Sequence, residues 1–188
     1  MKNLLIVTML GLGSFAVGAS SAAEKMEISL NNVETGKSIG QIEVTVAEQG
    51  GLVFTPKLSG LSAGLHGFHI HEKPSCDAAT QDGEKVLAGA AGSHFDPDET
   101  KQHSFPWSEE GHAGDLPALY VADDGTATHP VYAPLLDIED IRGHAIMIHA
   151  KGDNYADSPE KLGGGGSRVA CGVIPESDES LPLLNNLG

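Results

Sequence analysis

The sequence predicts an all-β domain, an eight-stranded antiparallel barrel or sandwich with two long functional loops. Three observations carry that reading: short segments from Glu24 onward in which apolar and polar residues alternate, turn residues that separate them, and 24 glycines in 188 residues with no sustained 3.6-residue periodicity. A chain of this length suits one domain.

The strands follow in order. Met26, Ile28 and Leu30 share one face of a strand over 26–30, and Ile42, Val44 and Val46 do the same within 39–47. Leu52, Phe54 and Leu58 mark 52–58, and Phe68 and Ile70 mark 65–72. After a long interruption come 119–122 and 127–132, joined by a hairpin turn at Asp123-Asp124-Gly125. Strands over 145–149 and 169–174 complete the set.

Two stretches, 73–117 and 151–167, break this rhythm. Unstructured connections of that length inside a compact domain usually carry function or are disordered. The first holds Cys76 and three histidines, which favours function. The second ends in four consecutive glycines, 163–166, where the backbone can adopt conformations closed to other residues.

The chain ends differ from the domain. Residues 1–23 carry one charge at Lys2, then an apolar run from Leu4 to Val17, then Ser21-Ala22-Ala23. That is the pattern of a secretory signal peptide cleaved after Ala23, which leaves a mature domain at 24–174 in the periplasm or otherwise secreted. The apolar run is shorter than the roughly 20 residues a membrane span needs. Residues 175–188 form a tail; Leu181, Leu183, Leu184 and Leu187 within it receive no role. The formal charge of −15 becomes −16 once Lys2, the only charged residue of 1–23, is removed. Such acidity argues against nucleic acid or an anionic membrane as partner. The export signal places Cys76 and Cys171 where disulfides persist, and they are read as one structural bridge, with free thiols or a metal pair as the alternative. Closing a loop of roughly 100 residues contributes about 4 to 5 kcal/mol at most in the chain-entropy picture.

Nine histidines punctuate the chain, and their placement is not uniform. In Gly-Leu-His-Gly-Phe-His-Ile-His-Glu at 64–72, strand parity turns Phe68 and Ile70 to the core and leaves His69 and His71 together on the outer face. Ile146 and Ile148 alternate with Met147 and His149 in the same way. Three outward imidazoles on neighbouring strands make most of a nitrogen-only site, which suits Cu(II). The first long loop supplies His94, His103, His112 and Asp115; three imidazoles and one carboxylate fill the closed tetrahedral shell typical of a structural zinc. A loop with little core of its own needs such a clamp.

With these residues in hand, the chain from about 26 to 174 resembles the bacterial copper-zinc superoxide dismutases. The resemblance rests on the 64–72 segment, His-Phe-Asp-Pro at 94–97, Gly-His-Ala-Gly-Asp-Leu-Pro at 111–117, Met-Ile-His-Ala-Lys-Gly-Asp at 147–153 and Gly-Gly-Gly-Gly-Ser-Arg-Val-Ala-Cys-Gly-Val-Ile at 163–174. It implies a Greek-key barrel and two cofactors, a copper ion and a zinc ion. Copper would take His69, His71, His94 and His149; zinc would take His94, His103, His112 and Asp115, with the His94 ring shared. Asp153 would link the shells by accepting from His69 and His103. The position of His66 is structural in the family, and His129 and His144 match no metal role.

The implied reaction is disproportionation of the superoxide anion to oxygen and hydrogen peroxide, with copper cycling and zinc structural. His94 would carry a proton to the forming peroxide, and Arg168, always protonated, would guide the anion despite the acidic chain. Lys73, Lys101, Lys151 and Lys161 could widen that positive approach. Trp107 resembles an aromatic position that packs at a subunit interface in bacterial relatives, which would give a homodimer; the alternative is that it packs within its own loop. The segment His103-Ser-Phe-Pro-Trp107 departs from those relatives in lacking a glycine before the proline. Two rival readings differ in metal content and turnover: a copper-delivery module, and a secreted scaffold holding zinc alone.

Overall fold

The structure, a computed structural model, describes residues 25–176, so the expected signal peptide and nearly all of the tail lie outside the described residues. Its strands are β1 (Lys25–Asn32), β2 (Ser38–Val46), β3 (Leu52–Leu58), β4 (Gly64–His66), β5 (Phe68–His71), β6 (Ala79–Gln81), β7 (Glu84–Val86), β8 (Leu119–Val121), β9 (Val131–Ala133), β10 (Ala145–His149) and β11 (Arg168–Val173). A seven-stranded antiparallel sheet runs β5-β10-β11-β1-β2-β3-β9, and β4 pairs with β8 beside it. The last strand, β11, returns to lie against β1, the first, so the curled sheet has the Greek-key form the sequence led us to expect.

Alternation built the core. Met26, Ile28 and Leu30 point inward from β1, and Ile42, Val44, Phe54, Phe68, Ile70, Ile146 and Ile148 join them in one cluster. Phe54 and Phe68 meet edge to face with centroids 5.8 Å apart. Strands β5 and β10 are buried on both faces. Their outer face, expected to be open, lies under the long loops: Ala145, Met147 and Cys171 pack against Ala88 and Ala91 in a second small core.

Four elements differ from the sequence reading. The single strand expected over 65–72 is two, because Gly67 leaves the ladder: its N–H donates to Lys151 O and its carbonyl accepts from His149 N. The strand expected over 127–132 shifts to β9; Ala127 keeps only an isolated bridge to Leu58, and Pro130 has no N–H to offer a ladder. The first long loop holds the β6–β7 hairpin, turned at Asp82-Gly83, and a one-turn helix, α1 (Ile138–Ile141), starts at a reciprocal cap between Asp137 and Asp140.

The disulfide joins Cys76 to Cys171 with Cα atoms 5.7 Å apart, and among the described residues no cysteine is free. It fastens the first loop to the middle of β11. Among the described residues no helix is long and apolar enough to cross a membrane.

Candidate metal centre

Strand β5 carries the site because its outer face and its free edge are both in use. Antiparallel register sets His69 opposite Met147 and His71 opposite Ala145 on β10. Loop segments dock along the other edge: Phe95 N donates to Ile70 O, Ile70 N to Gly114 O, and Glu72 N to Ser93 O. These contacts bring His94 opposite His71 and Asp115 opposite His69. His149 follows a break in the β10–β11 register and lies across from Arg168; an extra residue of that kind re-aims a side chain.

The six imidazoles and Asp115 converge in the interior, none more than 8% exposed. The His94 ring lies among the others, with centroids 5.1 Å from His71, 6.1 Å from His149, 5.2 Å from His103 and 5.4 Å from His112. It stacks on His69 at 3.9 Å.

Hydrogen bonds decide which nitrogen of each ring is free. His69 Nε2 donates to Asp153 Oδ2 at 2.6 Å, His71 Nδ1 to Gly92 O at 3.0 Å, His149 Nδ1 to Gly166 O at 3.1 Å and His103 Nε2 to Asp153 Oδ1 at 2.8 Å. The opposite nitrogens, His69 Nδ1, His71 Nε2, His149 Nε2 and His103 Nδ1, are buried without a hydrogen bond. His103 Nδ1 does lie 2.9 Å from Asp115 Oδ1, a close approach without hydrogen-bond alignment. Each orphaned buried polar atom costs about 1–3 kcal/mol. Four of them gathered in one place fit cations.

Donor atoms of His69, His71, His94 and His149 all lie within 4.8 Å of one another. A second such group is His69, His94, His103 and Asp115. His112, expected in the zinc shell, is outside that second group, yet its Nδ1 is 3.3 Å from Asp115 Oδ1. Around that one oxygen stand three Nδ1 atoms, of His94 at 2.8 Å, His103 at 2.9 Å and His112. His69 enters the second group through its stacking on His94. All seven expected ligand residues are therefore brought together.

Burial holds the His69 and His71 imidazoles far below their ordinary pKa, with neighbouring rings adding to the effect. His94 is lowered by burial, against the pull of Asp115. Burial takes His149 down to about 4. His103 goes the other way, to about 9: burial opposes its charge, but the adjacent Asp115 and Asp153 carboxylates overcome it. Asp115 is buried, which favours its neutral form, yet its bonds to His103, His112 and His94 hold it far below the carboxylate range. The copper-type cluster is thus unprotonated at neutral pH, while the zinc-type cluster balances a carboxylate against a cationic ring.

A cavity of about 620 Å³ opens on His71, His94 and His149, with Arg168 and Lys161 in its wall. The Arg168 guanidinium donates to Ala88 O and Gly92 O, so the same Gly92 carbonyl orients both Arg168 and His71. A second cavity of about 590 Å³ reaches His94 and His112 from an acidic side lined by Glu72, Asp96, Glu99 and Asp157. Of the four loop lysines, Lys161 alone lines the first cavity. His66 bridges His149 O and Ser62 O through its two nitrogens, a structural tie. His144 packs at a tilt against Phe95 and bonds Glu72 O, and His129 packs against Tyr120 on the surface.

Sequence reasoning missed Asp157, whose carboxylate accepts from His103 N and from Leu162 N and so ties the two loops together. It also missed the Gly92 and Gly166 carbonyls. A backbone acceptor leaves no mark in side-chain identity.

Comparison with known proteins agrees with this geometry. The family described as copper/zinc superoxide dismutase (SODC) matches residues 38–174. The chain is 50% identical over 173 residues to the superoxide dismutase (Cu-Zn) of Photobacterium leiognathi, covering 92% of this chain and 97% of that one. Among solved structures it is similar to the Cu/Zn superoxide dismutase from Brucella abortus, with TM-score 0.77, 42% identity, and coverage of 80% of this chain and 99% of that one. It is also similar to the monomeric copper, zinc superoxide dismutase from Salmonella enterica, with TM-score 0.70, 47% identity, and coverage of 80% and 99%.

Proposed function

The chain belongs to the copper/zinc superoxide dismutase family and disproportionates superoxide using copper and zinc, and from that premise we propose how its residues divide the work. Copper would be held by His69, His71, His149 and His94. Zinc would be held by His94, His103, His112 and Asp115. His94 would then serve both. What supports this division is the set of orphaned buried nitrogens, each opposite a nitrogen already committed to a carboxylate or carbonyl.

Copper, when bound, supplies the one-electron chemistry that turns one superoxide into oxygen and a second into peroxide. The protein supplies the rest. Arg168 offers a fixed positive charge in the cavity wall and draws the anion toward His71 and His149. His94 lines the same cavity, and its Nε2, when not holding copper, is the atom that could hold a proton for the departing peroxide. Asp153 orients His69 and His103 together.

The domain is residues 24–174, exported behind the signal peptide at 1–23 to the periplasm. Two copies associate through the exposed face where Trp107, 63% exposed, stacks on Phe105, which stacks in turn on Tyr155. Metal analysis and a superoxide consumption assay test the assignment. One copper and one zinc per chain are expected, and His149→Ala should lose copper and activity while keeping zinc. A variant that retains full turnover would refute it.

A further inference from the structure

Gly163 stands directly over the carboxylate that joins the two halves of the site. Its φ is +72°, in the left-handed region, and two backbone hydrogen bonds pin it there, from its N–H to Ala156 O and from Asn154 N to its own carbonyl, both 3.0 Å. A Cβ at this position would overlap Asp153 Oδ1 and would lie 2.5 Å from Asp153 Cγ and 2.6 Å from His103 Nε2. Those atoms have nowhere to go. Both side chains are fully buried, and the Asp153 oxygens are tied to His69, to His103 and to Tyr155 N at 2.7 Å.

The next residue supplies an internal comparison. Gly164 has nearly the same backbone, φ +70°, but a Cβ there meets nothing nearer than the end of the exposed Glu160 side chain at 3.2 Å. Alanine pays the same left-handed penalty at both positions. Only at Gly163 does it also strike the link.

We propose that Gly163 is a positioning residue for the metal centre: having no side chain, it lets the second loop close over the Asp153–His103 hydrogen bond and so holds the zinc side in register with the copper side. It acts through Asp153. The inference rests on the assignment of His103 to zinc and of Asp153 to the link. A larger residue here pries the carboxylate from His103 and loosens zinc, and through His69 it disturbs the copper environment.

The test uses the full chain loaded with both metals, measuring zinc release to excess chelator and the Cu(II) spectrum. Four variants are compared: Gly163→Ala, Gly164→Ala, Asp153→Ala and the double variant Gly163→Ala/Asp153→Ala. Gly163→Ala is expected to release zinc about 10-fold or more faster and to shift the Cu(II) signal. Gly164→Ala should stay within about 2-fold of the parent, the room at its Cβ sparing Asp153. Once Asp153 is gone, Gly163→Ala should add less than about 2-fold, because the two changes act on one contact. Should Gly163→Ala alone not fold, the double variant should, since the two nearest atoms are then gone and the His103 ring, no longer held at Nε2 by the carboxylate, can move aside. The proposal is overturned if Gly163→Ala behaves like Gly164→Ala, if its effect is the same with and without Asp153, or if the double variant also fails to fold. If Asp153→Ala alone leaves zinc release unchanged, the link itself is refuted, and this inference with it.

Discussion

Replacing Asp153 by asparagine separates the two demands made on that side chain. Its carboxylate accepts from His69 Nε2 at 2.6 Å on one oxygen, and from His103 Nε2 at 2.8 Å and Tyr155 N at 2.7 Å on the other, with no solvent exposure. Asparagine preserves shape and volume but turns one oxygen into an NH2 donor. Whichever way the amide rotates, that donor faces an imidazole N–H. One charge-assisted bond is lost and two donors confront each other in a dry site, which costs about 1–3 kcal/mol. With 1.4 kcal/mol per decade, metal affinity should fall about 5- to 150-fold, which brackets the roughly 10- to 100-fold typical of losing a partner of a metal-bound histidine. Rotation toward His103 is the costlier of the two, because two donors meet that oxygen, so the amide should settle on His69. Copper affinity should therefore fall more than zinc affinity. Competition titrations with chelators of known affinity, run separately for each metal, give both numbers. Affinities for both metals within about twofold of the parent would refute the reasoning, since the buried hydrogen bonds would then contribute nothing.

Three further outcomes follow from the same geometry. In the metal-free protein His103 is raised to about 9 between two carboxylates, so zinc must displace a proton from its Nδ1; apparent zinc affinity should rise about tenfold per pH unit from pH 6 to 9 and level off above, while copper affinity, set by rings that burial holds below their ordinary range, stays flat over the same span. Proton release on zinc addition, followed by calorimetry in two buffers, measures this, and a flat zinc profile contradicts it. Arg168→Ala should keep both metals yet slow turnover, most at low ionic strength where a fixed charge reaches furthest; rates unchanged in low salt would remove Arg168 from anion capture. Cys171→Ser, which leaves the first loop untied from β11, should lower unfolding free energy by about 2–5 kcal/mol in denaturant titration. A loss under about 1 kcal/mol would mean that the docked loop holds itself.

The residue types of the centre were legible because each ligand class has its own spacing rule. Strand parity alone put His69 and His71 on one face, and the loop histidines with Asp115 formed a recognisable closed shell. Other features were not legible. Nothing in the order of residues says that Gly67 breaks the strand, because its departure depends on Lys151 and His149 arriving from more than 80 positions away. The β6–β7 hairpin carried a turn signal at Asp82-Gly83, but its strands of three residues fall below what alternation can reveal. The clamp by Asp157 and the roof at Gly163 left no signal of their own, since a surface aspartate and a glycine in a run read as ordinary loop.

Sequence by itself determined the fold class and which histidines and carboxylate gather at the candidate metal centre, because alternation and the chemistry of imidazole and carboxylate are written residue by residue. Tertiary structure decided which nitrogen of each ring stays free, how the rings titrate, and which backbone carbonyls hold Arg168 and His71. Those properties belong to neighbours that meet only when the loops dock on β5, and a ring nitrogen becomes a donor, an acceptor or a ligand according to what stands opposite it.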